Sequence, residues 1–240
     1  MIDWLDDYTV PEFPATSRTL DEPAGLLAAG GDVSPAWLDA AYRKGIFPWN
    51  DPEEVRMWWT PAPRAVITPE TFRVPKRLAR EVRSSNLTVT SNQAFERVVA
   101  GCAGARADNE GTWIDQELTD ELPRLHRCGR AVSVECWTPG GELVGGFYGL
   151  TIGTAFFGES MFTRSAGASK IAFATAAPAL FALGIDLIDC QMKTDHLARF
   201  GLIELNRTEF ESALAACISK PAIAPLPALI RHGSIAGGPA

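Results

Sequence analysis

Apolar residues alternate with glycines and polar residues over 142–152 (ELVGGFYGLTI) and 155–162 (AFFGESMF), the period of a strand, and Gly153-Thr154 between them is a two-residue hairpin signal. Residues 131–137 (AVSVECW) show the same pattern and lead into the next run through Pro139-Gly140-Gly141, so the pattern predicts three successive antiparallel strands. The period then changes. Residues 165–183 are Ala, Phe and Leu nearly all round, which predicts a buried helix bent at Pro178. A strand over 185–190, the start of a helix at 195–200 and a last strand over 201–207 follow.

Upstream, residues 1–24 are rich in Pro and acidic groups and read as irregular. A helix is predicted over 35–44, with Ser34 as N-cap, Pro35 in the first turn and Gly45 after the last. Trp49, Trp58 and Trp59 then fall close together, and large aromatics of this kind pack a small unit. Arg73, Lys76, Arg77, Arg80 and Arg83 recur at spacings of three and four with Val74, Leu78 and Val82 opposite, a short helix with one basic and one apolar stripe. Phe95, Val98, Val99 and Cys102 mark a helix capped by Ser91 or Asn92. Leu118, Leu122 and Leu125 mark another over about 115–127, in which Pro123 either kinks the helix or divides it. From Pro221 onward, Pro, Ala and Gly predict a loosely held tail. Two domains are expected, 1–65 and 66–240.

Composition narrows the classes. With 46% hydrophobic and 21% charged residues the chain is an ordinary soluble globule. No apolar run reaches the ~20 residues of a spanning helix, and the N-terminus lacks the basic start of a signal peptide, so a cytoplasmic protein with no membrane partner is expected. Five cysteines without a C-x-x-C spacing, and only three histidines, argue against a disulfide framework and against a metal site. The net charge of −7 leaves nucleic-acid binding to a local patch, and the basic stripe at 73–83 is either such a phosphate-contacting patch or a solvated helix face.

Three features suggest chemistry. Five glycines, at 145, 146, 149, 153 and 158, sit in the two later strands, where the usual reason is close approach of a ligand or of another backbone. Glu159 lies among Phe156, Phe157, Met161 and Phe162; a carboxylate on an apolar face needs a partner, either a bound cation or Arg164 or Lys170. Asp189 and Gln191 end an otherwise apolar strand, Asp189 being either a functional group or a satisfied structural carboxylate.

The stretches GLLAAGGDVSPAWLDAAYRKGIFPW, WWTPAPRAV, GTWI, SVECW, LVGGFYG, GESMF, ASK and LIDCQ…DHLARFG, in that order from about Gly25 to Arg207, resemble the leucyl/phenylalanyl-tRNA–protein transferase family. The resemblance implies an α+β fold: a small N-terminal domain followed by an acyl-CoA N-acyltransferase-like domain, with a mixed, mainly antiparallel sheet flanked by helices. It also implies transfer of Leu, Phe or sometimes Met from aminoacyl-tRNA to the N-terminal Arg or Lys of acceptor proteins, marking them for degradation, with no cofactor. Residue by residue it implies Asp189 and Gln191 as the Asp-x-Gln pair; the predicted strand order brings Glu159 within reach of the same cavity, where it would attract a cationic N-terminal Arg or Lys. The donor side-chain pocket maps onto Phe147, Phe156, Met161 and Ile188, and the tRNA 3′-adenosine stacks on Trp49 and Trp113. Core packing explains any single pocket residue equally well.

This chain departs from the family pattern at two places. Gly167 replaces the usual Asn before Ala-Ser-Lys, which brings 164–169 near the pyrophosphate loop of CoA-dependent acyltransferases, although Ser169 and Lys170 spoil the match. Ala176 stands where a larger apolar residue is expected on the pocket wall, so a Phe173–Ala176–Leu180 face laid over the pocket would favour Phe over Leu as donor. Two alternative readings are a CoA-dependent N-acyltransferase and a non-catalytic binder of basic N-termini; an intact Asp-x-Gln pair argues against the second.

Overall fold

Leu26–Gly30, buried along its whole length, is one of the two inner strands of a small sheet. In the computed structural model, which describes residues 2–7, 10–49, 54–107, 114–223 and 230–231, this sheet comprises β1 (Asp3–Leu5), β2 (Leu26–Gly30), β3 (Phe47–Pro48) and β4 (Met57–Trp59) in the order β1-β2-β4-β3. Trp113 and most of the tail expected after Pro221 lie outside the described residues. Helix α1 (Pro35–Tyr42) buries Trp37, Leu38, Ala41 and Tyr42, and Gly45, at φ 70°, turns the chain back after it. Trp58 is the centre of this unit: it is fully buried, donates from Nε1 to Gly30 O at 2.8 Å and packs on Phe13 and Trp37.

The second sheet holds β5 (Arg64–Ile67), β6 (Thr88–Ser91), β7 (Ala131–Trp137), β8 (Leu143–Ile152), β9 (Ala155–Thr163), β10 (Leu187–Asp189), β11 (Ile203–Leu205) and β12 (Ile230–Arg231). Among the described residues its order is β11-β5-β10-β9-β8-β7-β6-β12, antiparallel throughout except between β9 and β10. Helices α2 (Lys76–Ser84), α3 (Phe95–Ala107), α4 (Gln116–Arg127), α5 (Ala168–Ala182), α6 (Asp195–Ala198) and α7 (Arg207–Ile218) flank it. This is the expected α+β arrangement, a small N-terminal unit and then a mixed, mainly antiparallel sheet between helices. One sheet gives way to the other between Trp59 and Arg64, and α4 runs through Pro123 as a single helix. The sequence reading contains no counterpart of β5, β6 or α7.

The sheet separates two cores. Phe147, Phe156 and Ile188 face α2 and α5; Tyr148, Phe157 and Leu187 face α1, α3, α7 and the small sheet. Helix α5 is apolar nearly all round because it is covered on nearly all sides. It presses on β8 so closely that a Cβ at Gly145 would lie 2.6 Å from the Ala168 Cβ. At Gly149 an added Cβ would lie 2.3 Å from Phe157 O. Of the two reasons for strand glycines, backbone approach therefore accounts for these positions. Among the described residues no helix is long and apolar enough to cross a membrane.

Candidate active site

Strands β9 and β10 pair over only three positions, Ala155–Phe157 against Leu187–Asp189, and then part. A bulge in β9 lies at the point of separation. Tyr148 of β8 pairs with Ser160 and Gly149 with Gly158, which leaves Glu159 as the extra residue. The bulge shifts the alternation of faces: Phe156 and Met161, five residues apart, both pack on the α5 side, which an unbroken strand forbids. On the β10 side, Gln191 takes φ 62°, a left-handed conformation uncommon for a residue with a side chain, and turns the chain away.

A cleft of about 410 Å³ opens between the parting strands. Its apolar wall includes Phe147, Phe156, Met161 and Ile188, all four expected from the sequence, together with Phe173 of α5. Glu159, Gln191, Ser169, Thr194 and His196 supply polar groups. Ala176 is not on this wall; it is fully buried in the packing of α5.

Glu159 is 6% exposed and its Oε1 has no hydrogen-bond partner among the described residues. Its carboxyl meets the phenol of Tyr42, from α1, and not Arg164 or Lys170. Arg164 instead lies over the Phe162 ring, 5.3 Å from its centroid. Burial raises the Glu159 carboxyl to about 8, against a smaller opposite pull from the Tyr42 hydrogen bond; nearby Asp189 raises it further and Arg64 lowers it. The Tyr42 phenol is itself pushed well above its ordinary value, first by burial and then by Glu159.

Asp189 is fully buried and does not line the cleft. Arg64 grips both of its oxygens, Nε to Oδ1 at 2.8 Å and Nη2 to Oδ2 at 2.7 Å, and the Gln191 backbone N–H donates to Oδ1 at 2.8 Å. Gln191 is thus the member of the Asp-x-Gln pair that reaches the cleft. Cys190 lies between them on the cleft wall, but burial raises its thiol, which removes it as a nucleophile.

The other expected residues lie elsewhere. Trp49, 38% exposed, meets Trp59 edge-on with centroids 5.4 Å apart, outside the cleft. Arg73, Lys76, Arg77, Arg80 and Arg83 are all exposed, all but Arg73 on α2, and Arg77 pairs with Glu81 at 3.0 Å. Gly167, at φ 82°, caps α5 with open space around its Cα.

Sequence reasoning missed three residues. Arg64 looks like a surface charge beside prolines, and its partner is 125 residues away. Tyr42 reads as one more apolar position of a helix. His196 follows Asp195 in a polar stretch, yet its Nε2 is buried without a partner among the described residues. Burial, with Lys170 and Arg199 nearby, lowers its pKa.

Comparison with known proteins gives a consistent result. The family model for the leucyl/phenylalanyl-tRNA protein transferase matches residues 66–215, and the model for the N-terminal domain of the same family matches residues 31–62. The chain is 50% identical over 221 residues to the leucyl/phenylalanyl-tRNA–protein transferase of Chromohalobacter salexigens, spanning 92% of this chain and 86% of that protein. It is 51% identical over 207 residues to that of Solidesulfovibrio magneticus, spanning 86% and 83%, and 46% identical over 211 residues to that of Saccharophagus degradans, spanning 88% and 86%.

Proposed function

The chain belongs to the leucyl/phenylalanyl-tRNA–protein transferase family, and from that premise we propose that it transfers Leu or Phe from aminoacyl-tRNA to the N-terminal Arg or Lys of acceptor proteins. Met is a further candidate donor. The observation that carries this reading is the pairing, in one cleft, of an apolar wall with the polar residues Glu159 and Gln191.

In the reaction the α-amino nitrogen of the acceptor attacks the ester carbonyl of the charged tRNA. A C–N bond forms, the bond from the carbonyl to the ribose oxygen breaks, and that oxygen leaves with the proton the amine gives up. An α-amino group has a reference pKa of ~7.7–8.0, so about a tenth is already nucleophilic at pH 7 and no strong base is required. Positioning is the main demand on the protein. Phe147, Phe156, Met161 and Ile188 hold the donor side chain, and the adaptable Met161 suits either donor. The Gln191 amide oxygen accepts a hydrogen bond from the attacking amine. Glu159, next to the cleft and short of one partner, receives the guanidinium or ammonium of the acceptor side chain.

The tRNA is held outside the cleft. Trp49 and Trp113 are proposed to stack the 3′-adenosine, and the basic face at 73–83 to contact phosphate. Such a surface reads the tRNA end without reading its whole sequence. Charged tRNA suits a cytoplasmic site of action, as does the lack of any disulfide among the described cysteines. Acceptors modified in this way are proposed to be marked for degradation.

The test is incubation with radiolabelled Leu-tRNA or acetyl-CoA and peptides that begin with Arg, Lys or Ala. Label passing from Leu-tRNA to the Arg and Lys peptides alone is expected. Transfer from acetyl-CoA alone would replace this reading with a CoA-dependent one, and peptide binding without transfer from either donor would leave a binder of basic N-termini.

A further inference from the structure

Gln191 is the one cleft residue whose backbone sits where a side chain is disfavoured, with φ 62°. Such a conformation persists only if the surroundings impose it. Three hydrogen bonds do so here. The Gln191 N–H donates to Asp189 Oδ1 at 2.8 Å, the Ala65 N–H donates to Gln191 O at 3.2 Å, and the Cys190 N–H donates to Ala65 O at 2.8 Å. Two of the three pass through Ala65, and the third through the carboxylate that Arg64 holds.

Arg64 is therefore attached to Gln191 by two routes, its side chain through Asp189 and its own chain neighbour through the strand ladder. Its side chain cannot turn. It is 1% exposed, its guanidinium carbon lies 4.8 Å from the ring centroids of both Phe47 and Phe210, and its fork meets both Asp189 oxygens. A planar fork fixes the plane of a carboxylate, which a lysine ammonium on a flexible stem cannot do. Asp189 Oδ1 accepts from Arg64 and from Gln191 at once, so the plane of that carboxylate sets where the Gln191 N–H is held. The rings come from opposite ends of the chain, Phe47 from the small sheet and Phe210 from α7, so the clamp joins the N-terminal unit to the transfer cleft.

We infer that Arg64 is a positioning residue for the transfer step, acting through Asp189 to hold Gln191 in the conformation that presents its amide to the cleft. This rests on the function proposed above. Arg64 has no part in gripping donor or acceptor, so its loss is felt in kcat and not in binding.

The test compares Arg64→Lys and Arg64→Gln with the native protein, after thermal melts have shown which variants fold. In a folded variant kcat is expected to fall about 100-fold, the scale of a small misplacement of a reacting group. The acceptor KM and the tRNA Kd stay within about threefold. Combined with Gln191→Ala, the Arg64 substitution is expected to add almost nothing further to the loss in kcat, because both act on one group. Full additivity, an unchanged kcat, a loss confined to KM, or failure of both variants to fold would each overturn the inference. If the native protein transfers no label, the proposed function fails by itself. The inference is then decided by a crystal structure of Arg64→Lys, in which Gln191 leaves the left-handed region if the clamp imposes it and keeps it if not.

Discussion

The Tyr42 phenol, carried by the last residue of α1, is hydrogen-bonded to the Glu159 carboxyl at the bulge of β9, so the N-terminal unit touches a group of the cleft wall without itself lining the cleft. This bond is the largest influence favouring the ionised carboxyl, against burial and Asp189. Tyr42→Phe should therefore move the Glu159 titration further upward and weaken its hold on a cationic acceptor. Hydrogen bonds to charged groups are worth ~1.5–3 kcal/mol, which corresponds to a rise of about tenfold or more in the KM of an Arg-starting peptide. The acidic limb of kcat/KM should shift to higher pH. An unmoved KM and pH profile would show that Glu159 does not meet the acceptor.

Glu159 also ties stability to pH. Its folded value is raised from 4.5 to about 8, so the native state keeps a proton that the unfolded chain releases. The stabilising contribution is complete below 4.5, declines as pH rises and is lost once pH passes about 8. Glu159→Gln keeps the shape and removes the titration. Measured by urea unfolding at pH 5, 7 and 9, the variant should gain stability relative to the native protein at each step, on the order of 1.4 kcal/mol per pH unit at most. A constant difference across that range would mean that the carboxyl is not held protonated by burial.

How far the site could be read in advance depended on the range of the interactions involved. Strands β7, β8 and β9 follow from period-two alternation, which is local, and the structure places them close to the expected bounds, whereas the wall residues Phe147, Phe156 and Ile188 are implied only by the family resemblance. The bulge at Glu159 does not follow, because one extra residue in β9 is defined only by its neighbour β8. Arg64 was hidden because a buried cation is recognised by its partner, and Asp189 is brought to it by the adjacency of β5 and β10. Helix α7 was a different failure. Asn206 and Glu209 form a capping box, and Phe210, Leu214 and Cys217 lie on one face, so the signals were local and present. The strand signal just before them and the Pro-rich run just after mask them.

On α2, Arg77 and Arg80 are exposed while Leu78 is buried beneath them, so the two charges can be removed without touching the core. If this face meets tRNA phosphate, Arg77→Gln with Arg80→Gln should weaken aminoacyl-tRNA binding and reduce the slope of log K against log salt by about 0.7–0.9 per lost contact. Melting temperature should change little. Filter binding between 50 and 300 mM salt, about the range where counterion release is read, decides the question, and an unchanged slope returns this face to ordinary solvation.

The donor preference turns on α5, where Ser169 and Phe173 line the cleft and Ala176 does not. Spacings of four and three put all three on one helical face, which is why Ala176 looks like a pocket residue in the sequence. Depth separates them. Seven residues of helix advance roughly 10 Å, and that carries position 176 past the cleft into the core shared with Ala172, Ala177 and Leu180. Ala176→Leu should therefore not change donor choice; it should overpack the core and cost about 1–3 kcal/mol of stability. Phe173 sits on the wall itself, edge-on to Phe147 at 5.7 Å and Phe200 at 4.8 Å. Phe173→Leu vacates volume beside the donor side chain, and the ratio of kcat/KM for Phe-tRNA over Leu-tRNA should rise by about tenfold, within the range of methylene-scale discrimination. Measuring that ratio in both variants settles the placement. A shifted ratio in Ala176→Leu with none in Phe173→Leu would put the donor pocket deeper along α5 than the cleft.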